Sequence, residues 1–517
     1  MSDNEKLQKA VELSISAGYQ LNKDAFELLS LLATTEDPAE IISQAIQKIE
    51  ALPEKPLFID RGFLETLIEK PLETKKANSE FSEPDTALLH ETQITKTKLF
   101  HPYAKEVESS LKILEDPGSK LSSNGAIEDY LTYFQDRFKR MEKLLRQRID
   151  ARTATTIIEA FKAPANTSLK IIGMVTEKRE SNQRILMNIE DLQASTTVLV
   201  PQNAPETLQR KAKNLLLDQV ICLSVRKTRT NLLIAEDIFL PDVAQKTQNK
   251  APVPVYAVLT SDIHVGSTKF QREAFNRFIL WLNGKYGNEK MKEMAGHVKY
   301  VLIAGDIVDG IGVYPNQVKE LAVKDVYAQY RLAAKYIEQI PDYIEVIVIP
   351  GNHDAPRKAL PQPPISDEFL ESLQESRKIH SLGNPCYLNL HSVEVLMYHG
   401  RSLDDITSTV PSMDYQHPEK AMVLLLQCRH LAPAYGAKTP VSPESRDSLI
   451  IEKVPDIFHV GHVHVLNYVN YRGVLAVNSG GWQDQTDYMR RLGVIPTISK
   501  VPLVNLQTFE TSIIPFG

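Results

Sequence analysis

Cysteine is scarce: Cys222, Cys386 and Cys428 are the only three among 517 residues, and they lie far apart. An odd number at such spacing argues against both a disulfide framework and a cysteine zinc site within this chain. Long apolar runs are missing as well. None approaches the ~20 residues needed to span a bilayer, so no membrane partner is expected. The opening MSDNEKLQKAVELS lacks the apolar core of a secretory leader, which makes the cytoplasm the expected compartment, beside the nucleoid if the partner is DNA. A strong charge of either sign is absent too, since 59 Lys and Arg against 65 Asp and Glu leave a net −6. That balance neither points to nor excludes nucleic acid, because a basic groove can sit on an acidic protein. Internal repeats are not evident.

What is present is a globular composition, 43% hydrophobic and 24% charged, in a chain long enough for roughly three domains. Residues 1–69 read as a helical N-terminal module. Leu7, Val11 and Ile15 share one helical face, Ala25, Leu28, Leu29 and Leu32 a second, and Ile41, Ile42, Ala45, Ile46 and Ile49 a third. Pro38 suits the first turn of the third helix, where its missing N–H costs nothing. Residues 70–124 are polar and aperiodic, as expected of a flexible linker. Within them Gln93, Leu99 and Phe100 faintly resemble a sliding-clamp-binding peptide, but Lys96 stands where that peptide wants an apolar residue, so the linker reading is preferred.

Residues 125–164 carry a connecting helix with Ile127, Leu131, Phe134, Phe138, Met141 and Leu145 at helical spacing. Over 165–243 five short β runs follow (169–175, 184–189, 196–200, 219–225 and 232–239), with a helical stretch (204–214) after the third. That order is the order of an OB barrel, a common oligonucleotide platform that also serves as a protein-binding module. Lys178, Arg179, Arg184, Arg226, Lys227 and Arg229 are its candidate phosphate contacts, with a solvated face as the equal alternative. Residues 255–517 then become α/β. Apolar runs at 255–260, 299–304, 344–349, 393–398 and 456–460 alternate with helical stretches at 272–282, 317–337 and 419–431, which predicts a central sheet buried on both faces.

Each of those five runs ends in metal-ligand residue types: Asp262-Ile263-His264, Gly305-Asp306-Ile307-Val308-Asp309, Gly351-Asn352-His353-Asp354, His399-Gly400 and Gly461-His462-Val463-His464. Ligands of α/β sheets collect at the carboxyl ends of strands. Carboxylates and neutral imidazoles suit borderline divalent ions such as manganese, iron or zinc. Two Asp, one Asn and four His surround two ions only if one carboxylate bridges them. Two ions about 4 Å apart would clamp a phosphodiester and activate a water. Alone, each motif reads better as a turn, a helix cap or a buried polar group. Together and in order, they do not.

These motifs resemble the five-part signature of the calcineurin-like metallophosphoesterase superfamily over roughly residues 255–490. The resemblance implies one ion on Asp262, His264, Asp306 and His464, and a second on Asp306, Asn352, His399 and His462. It implies that His353 meets the scissile phosphate and that Asp309 orients His353. The cofactor is then two divalent ions, manganese first, with magnesium, iron or zinc also compatible. The module order, together with SDIHVGS, GDIVDGIG, PGNHDAPR and YHGRSLDD, is similar to that of archaeal family-D polymerase small subunits. That implies a large catalytic subunit as partner, DNA 3′ ends as substrate and 3′–5′ proofreading exonuclease activity. Arg357 and Arg401 are candidate DNA contacts, and salt-bridge formation is their plain alternative. Two other readings stay open: a metallophosphoesterase of small phosphoesters, and a structural subunit with a silent site.

Overall fold

The computed structural model describes residues 3–17, 19–21, 23–32, 37–50, 58–59, 63–64, 100–374 and 377–517. The chain divides into two units, Met1–Lys96 and Thr97–Gly517. In the first, helices Asp3–Ser16, Lys23–Leu32 and Pro38–Glu50 pack through Ala10, Ala25, Leu29, Ile42, Ala45 and Ile49, all fully buried. A two-residue parallel pair, β1 (Gln20–Leu21) with β2 (Phe58–Ile59), accompanies them.

Part of the segment expected to be a linker is ordered in the second unit. Residues 70–99 lie outside the described residues, and so do Gln93, Lys96 and Leu99 of the clamp-like peptide. Phe100, however, packs over Gly284 and against the core beside it, so that ring already has a place within its own chain. After a short helix, Tyr103–Glu106, strand β3 (Leu111–Glu115) joins the edge of a sheet, with Leu111 opposite Leu390 and Ile113 opposite Leu388. The linker expectation fails here because β3 is an exposed edge strand: Ile113 and Leu114 remain 48% and 40% exposed, so no alternation of apolar and polar residues marks it.

The helix Ile127–Arg146 buries Phe138, Met141 and Leu145 against the outside of a barrel, while its first turns stay open, with Ile127 83% exposed. The barrel is closed by five strands: β4 (Ser168–Ser181), β5 (Arg184–Glu190), β6 (Ser195–Val200), β7 (Val220–Lys227) and β8 (Leu233–Phe239). Their neighbour order is β4-β5-β6-β8-β7, and the helix Glu206–Lys213 falls between β6 and β7. Alternate residues such as Ile185, Met187, Ile189, Val198 and Val200 point inward and fill it.

Residues 256–515 build two six-stranded sheets rather than one. The strands are β9 (Tyr256–Thr260), β10 (Val298–Ala304), β11 (Glu345–Ile349), β12 (Ile379–Ser381), β13 (Cys386–Leu390), β14 (Val393–Tyr398), β15 (Ile457–Val460), β16 (Asn467–Tyr471), β17 (Val474–Asn478), β18 (Lys500–Asn505) and β19 (Thr511–Pro515). One sheet runs β12-β11-β10-β9-β18-β19 and the other β16-β17-β15-β14-β13-β3. Along β9, Ala257 and Leu259 face the second sheet, where they meet the cluster of Leu388, Val395, Met397 and Val477, while Val258 faces the helices with Phe275 and Phe278. Leu396, Phe458 and Val460 turn outward under the helix Pro418–Cys428. Every central strand is therefore covered on both faces, and a run of apolar residues reads the same in one sheet or in two. Each large buried aliphatic contributes about 1.5–3 kcal/mol, which fixes the two sheets together and brings their carboxyl ends side by side.

The helix expected over 317–337 is broken into a 3-10 turn, Gln317–Lys319, and a helix, Val326–Ile337. Asp325 caps the latter by accepting the Ala328 N–H at 2.6 Å. Gln317 turns inward, donating from Nε2 to the Asp309 carbonyl and carboxylate at 2.7 and 3.1 Å.

Candidate metal centre

Both sheets deliver their motifs to one place. From the first come Asp262 and His264 after β9, Asp306 and Asp309 after β10, and Asn352 and His353 after β11. From the second come His399 after β14, and His462 and His464 after β15. Asp262, His264, Asp306, His462 and His464 all have φ between 51° and 73°, the left-handed region that side chains normally avoid. Such strain costs of order 1–3 kcal/mol per residue and persists where surrounding structure imposes it for function. At Gly351 nothing but glycine fits, because a Cβ would lie 2.1 Å from Asp306 Oδ1.

Three groups of metal-ligand type arise among the described residues: Asp262 with His264 and His464, His264 with Asp306 and His353, and Asp306 with His399 and His462. Within each, the donor atoms lie within 4.8 Å of one another. Asp306 Oδ2 is central, 3.4 Å from His399 Nε2, 3.8 Å from His264 Nε2 and 4.0 Å from His353 Nε2. The bridging position implied for Asp306 is thus geometrically available.

The donors fit divalent ions because their lone pairs converge. His399 donates its Nδ1–H to the Ala304 carbonyl at 2.8 Å, so in the neutral ring Nε2 carries a lone pair. That atom lies 3.0 Å from Asn352 Oδ1, itself an acceptor, and only a cation or a proton reconciles the two. His264 repeats the arrangement: Nδ1 donates to Asp309 Oδ1 at 3.0 Å, and Nε2 faces His464 Nε2 at 3.0 Å. Burial works against charge on His399, yet the Asp306 carboxylate outweighs it and raises its pKa to about 9. His264 is likewise raised against the cost of burial, chiefly by Asp309. Burial also opposes ionisation of Asp262 and Asp306, but His464 holds the former and His399 the latter below the ordinary carboxyl range. The field in this pocket favours positive charge.

Two expectations need correction. The Asp309 carboxylate orients His264 rather than His353. It is the Asp309 backbone carbonyl that accepts the His353 Nδ1–H, at 2.7 Å. A ligand histidine in this position gains more from a carboxylate partner, which fixes its tautomer and raises its basicity. Arg357 is spent on Glu444 at 2.8 Å and on the Pro361 carbonyl. Arg401, by contrast, lines the cleft above the donors, and its buried Nε has no hydrogen-bond partner. Much of the barrel's basic set is also engaged internally: Lys178 with the Lys213 and Leu215 carbonyls, Lys227 with the Ala163 carbonyl, Arg179 with Glu177 and Arg226 with Glu236.

Several supporting residues escaped the sequence reading. Asp354 accepts N–H groups from Gly351 (2.8 Å) and Ile307 (3.2 Å) and the Tyr330 hydroxyl (3.0 Å), tying the second and third motifs together. Gln483 donates to Asp309 Oδ1 at 2.8 Å, and Asp404 accepts from His462 Nε2 at 3.1 Å. Asp354 and Asp404 stand inside quoted motifs, but Gln483 has no sequence signal at all. The donors open into a cleft of roughly 720 Å³ bordered by Tyr314, Tyr415 and Tyr488.

A closed five-stranded barrel followed by a two-sheet α/β domain is the setting in which comparison with known proteins becomes informative. Residues 257–466 match the family of the B subunit of DNA polymerases alpha and epsilon, which places the chain in the class of polymerase B subunits. More specifically, the chain belongs to the family of archaeal DNA polymerase II small subunits, those of the family-D polymerase. It is 40% identical to the DNA polymerase II small subunit of Archaeoglobus fulgidus, covering 76% of this chain and 78% of that one. It is 33% identical to that of Methanothermobacter thermautotrophicus over 92% and 93% of the two chains. Against that of Pyrococcus furiosus it is 38% identical over 74% of this chain, and the match spans 62% of the Pyrococcus protein. No helix among the described residues is long and apolar enough to cross a membrane.

Proposed function

We propose that this chain is the proofreading subunit of a two-subunit replicative DNA polymerase, hydrolysing phosphodiesters at DNA 3′ ends, with nucleotide addition performed by a large partner subunit. The observation that carries the reading is the convergence of Asp262, His264, Asp306, Asn352, His399, His462 and His464 on one cleft, with the Asp306 carboxylate at the centre. Kinship with polymerase small subunits supplies the substrate class. Two divalent ions held there, manganese first, would supply Lewis acidity to the scissile phosphate and to the attacking water.

The chain's own residues do the rest. Asp262, His264, Asp306 and His464 would hold one ion, and Asp306, Asn352, His399 and His462 the other. His353 sits at the mouth, where burial lowers its pKa to about 4, so its ring enters the reaction neutral. Its Nδ1–H is committed to the Asp309 carbonyl, which leaves the Nε2 lone pair facing the cleft. As negative charge develops on phosphate, that nitrogen is placed to take up a proton and pass it to the departing oxygen. Arg401, with an unpartnered Nε, offers a donor to a non-bridging phosphate oxygen.

The test is a 5′-labelled primer with a mismatched 3′ end, incubated with manganese and the protein, alone and with its large subunit. Progressive shortening from the 3′ end, lost in Asp306→Asn and in His353→Ala, supports the reading. An intact primer in both settings removes it and leaves the silent structural role.

A further inference from the structure

We infer that the wall of the cleft opposite the metal ligands is a nucleobase platform, built by Tyr314 and Tyr488, that admits an unpaired 3′-terminal base. This rests on the function proposed above and names what the site selects. The two rings stack with centroids 5.6 Å apart and planes 25° from parallel, and Tyr314 lies 6.0 Å from the His353 ring. The aromatic wall therefore begins beside the residue assigned to the scissile phosphate and runs outward.

The wall is held in place from two directions. Tyr314 donates its hydroxyl to Glu320 Oε2 at 2.8 Å, and Glu320 Oε1 accepts the Asp487 N–H at 3.3 Å. Asp487 begins the helix Asp487–Leu492, which carries Tyr488 and is capped by Thr486. The loop after the second motif and the helix after β17 are thus locked together, and the rings require little ordering when a ligand arrives. Tyr488 nonetheless remains 46% exposed and Leu492 42%, beside Met489 in the same cleft. Apolar and aromatic surface next to phosphate chemistry suits a group that is flat, apolar on its faces and attached to a phosphate. A nucleobase is that group, and stacking on tyrosine is tolerant of base identity. Arg401 lines the same cleft with its unpartnered donor, available to the phosphate between platform and ligands.

A paired base is stacked within its duplex, and leaving it costs a few kcal/mol, least for a mismatched end. A platform beside the ligands rewards the frayed terminus and thereby converts mispairing into hydrolysis.

The experiment uses the full chain and single-stranded oligonucleotides with 2-aminopurine at the 3′ terminus or in the interior. Fluorescence is read without divalent ions, for wild type, Tyr488→Ala and Tyr488→Phe. In parallel, manganese-dependent cleavage is compared on ends that carry a base and ends that are abasic. The expected result is quenching of the terminal probe by wild type and Tyr488→Phe, lost in Tyr488→Ala. The rate preference for base-bearing over abasic ends, about tenfold or more from stacking, should fall to near unity in Tyr488→Ala. Equal quenching by wild type and Tyr488→Ala, with 3′ ends still degraded, overturns the platform and leaves the nuclease standing. Quenching that depends on Tyr488 without any hydrolysis sustains the platform and overturns the nuclease.

Discussion

His462 and Asp404 meet across the second sheet, Nε2 to Oδ2 at 3.1 Å, in a contact that decides which nitrogen of His462 is free. Burial pushes the Asp404 carboxyl up, but His462 and then Arg401 more than offset it and hold it at about 2. A carboxylate there accepts the Nε2–H and leaves the Nδ1 lone pair toward Asp306 and His399. Carboxylate partners of ligating histidines typically contribute 10–100-fold in metal affinity. Asp404→Asn is therefore expected to weaken one of two manganese-binding events by about tenfold or more while sparing the other. Isothermal titration calorimetry reads both, and two unaffected events would remove the positioning role.

Gly351→Ala tests how closely the backbone must approach Asp306. The added Cβ would fall 2.1 Å from Asp306 Oδ1 and 2.7 Å from His399 Cε1, so the central carboxylate must move. Loss of metal binding with a thermal midpoint within a few degrees of wild type is expected. Tight two-site binding in this variant would mean that Asp306 is not the shared ligand.

Arg137 holds the connecting helix to the α/β domain through a contact with no solvent. Its Nε donates to Asp447 Oδ2 at 2.7 Å, its remaining donors reach the Tyr133 hydroxyl and the Pro433 carbonyl, and neither charged side chain is more than 1% exposed. Removing one partner of a buried pair strands the other charge, at about 3–5 kcal/mol. Arg137→Ala is expected to lose that much in urea denaturation, whereas a loss under about 1 kcal/mol would mean water reaches Asp447.

His430 gives the fold a dependence on pH separate from the metal ligands. Its Nε2–H donates to Asp447 Oδ2 at 2.8 Å, while Nδ1 accepts the Ala432 N–H at 3.0 Å, so the buried ring is neutral. Burial lowers its pKa to about 4 despite Asp447, against about 6.5 in an unfolded chain. The unfolded state thus binds the proton first. The contribution is complete above about pH 6.5 and is lost as pH falls towards 4, on the order of 3 kcal/mol. Asp447 is held far below an ordinary carboxyl, so its own share persists to much lower pH. His430→Gln should flatten stability between those two pH values. An unchanged slope would place the acid sensitivity elsewhere, with buried His459 next in line.

The chemistry of this chain was legible because its ligands follow apolar runs directly: Asp262, Asp306, Asn352, His399 and His462 each stand within a few residues of a strand end. The barrel was legible from turn spacing and from the helix after its third strand. The pairing of strands into sheets was not, since β9 and β14 are buried on both faces and look alike in sequence. Strand β3 hid because an exposed edge imposes no alternation. Arg137 hid because a charged residue on a helix reads as solvated until three carbonyl and carboxylate partners are assembled around it from elsewhere in the chain. Arg357 was assigned to DNA by its neighbours in sequence, yet Glu444, distant in the chain, claims it.

The most direct measurement is anomalous diffraction at the manganese edge from crystals of the chain grown with manganese. The expected result is two peaks about 4 Å apart, one among Asp262, His264 and His464 and the other among Asn352, His399 and His462, both in contact with Asp306. A single peak, or two that do not share Asp306, would contradict the dinuclear centre on which the proofreading activity depends.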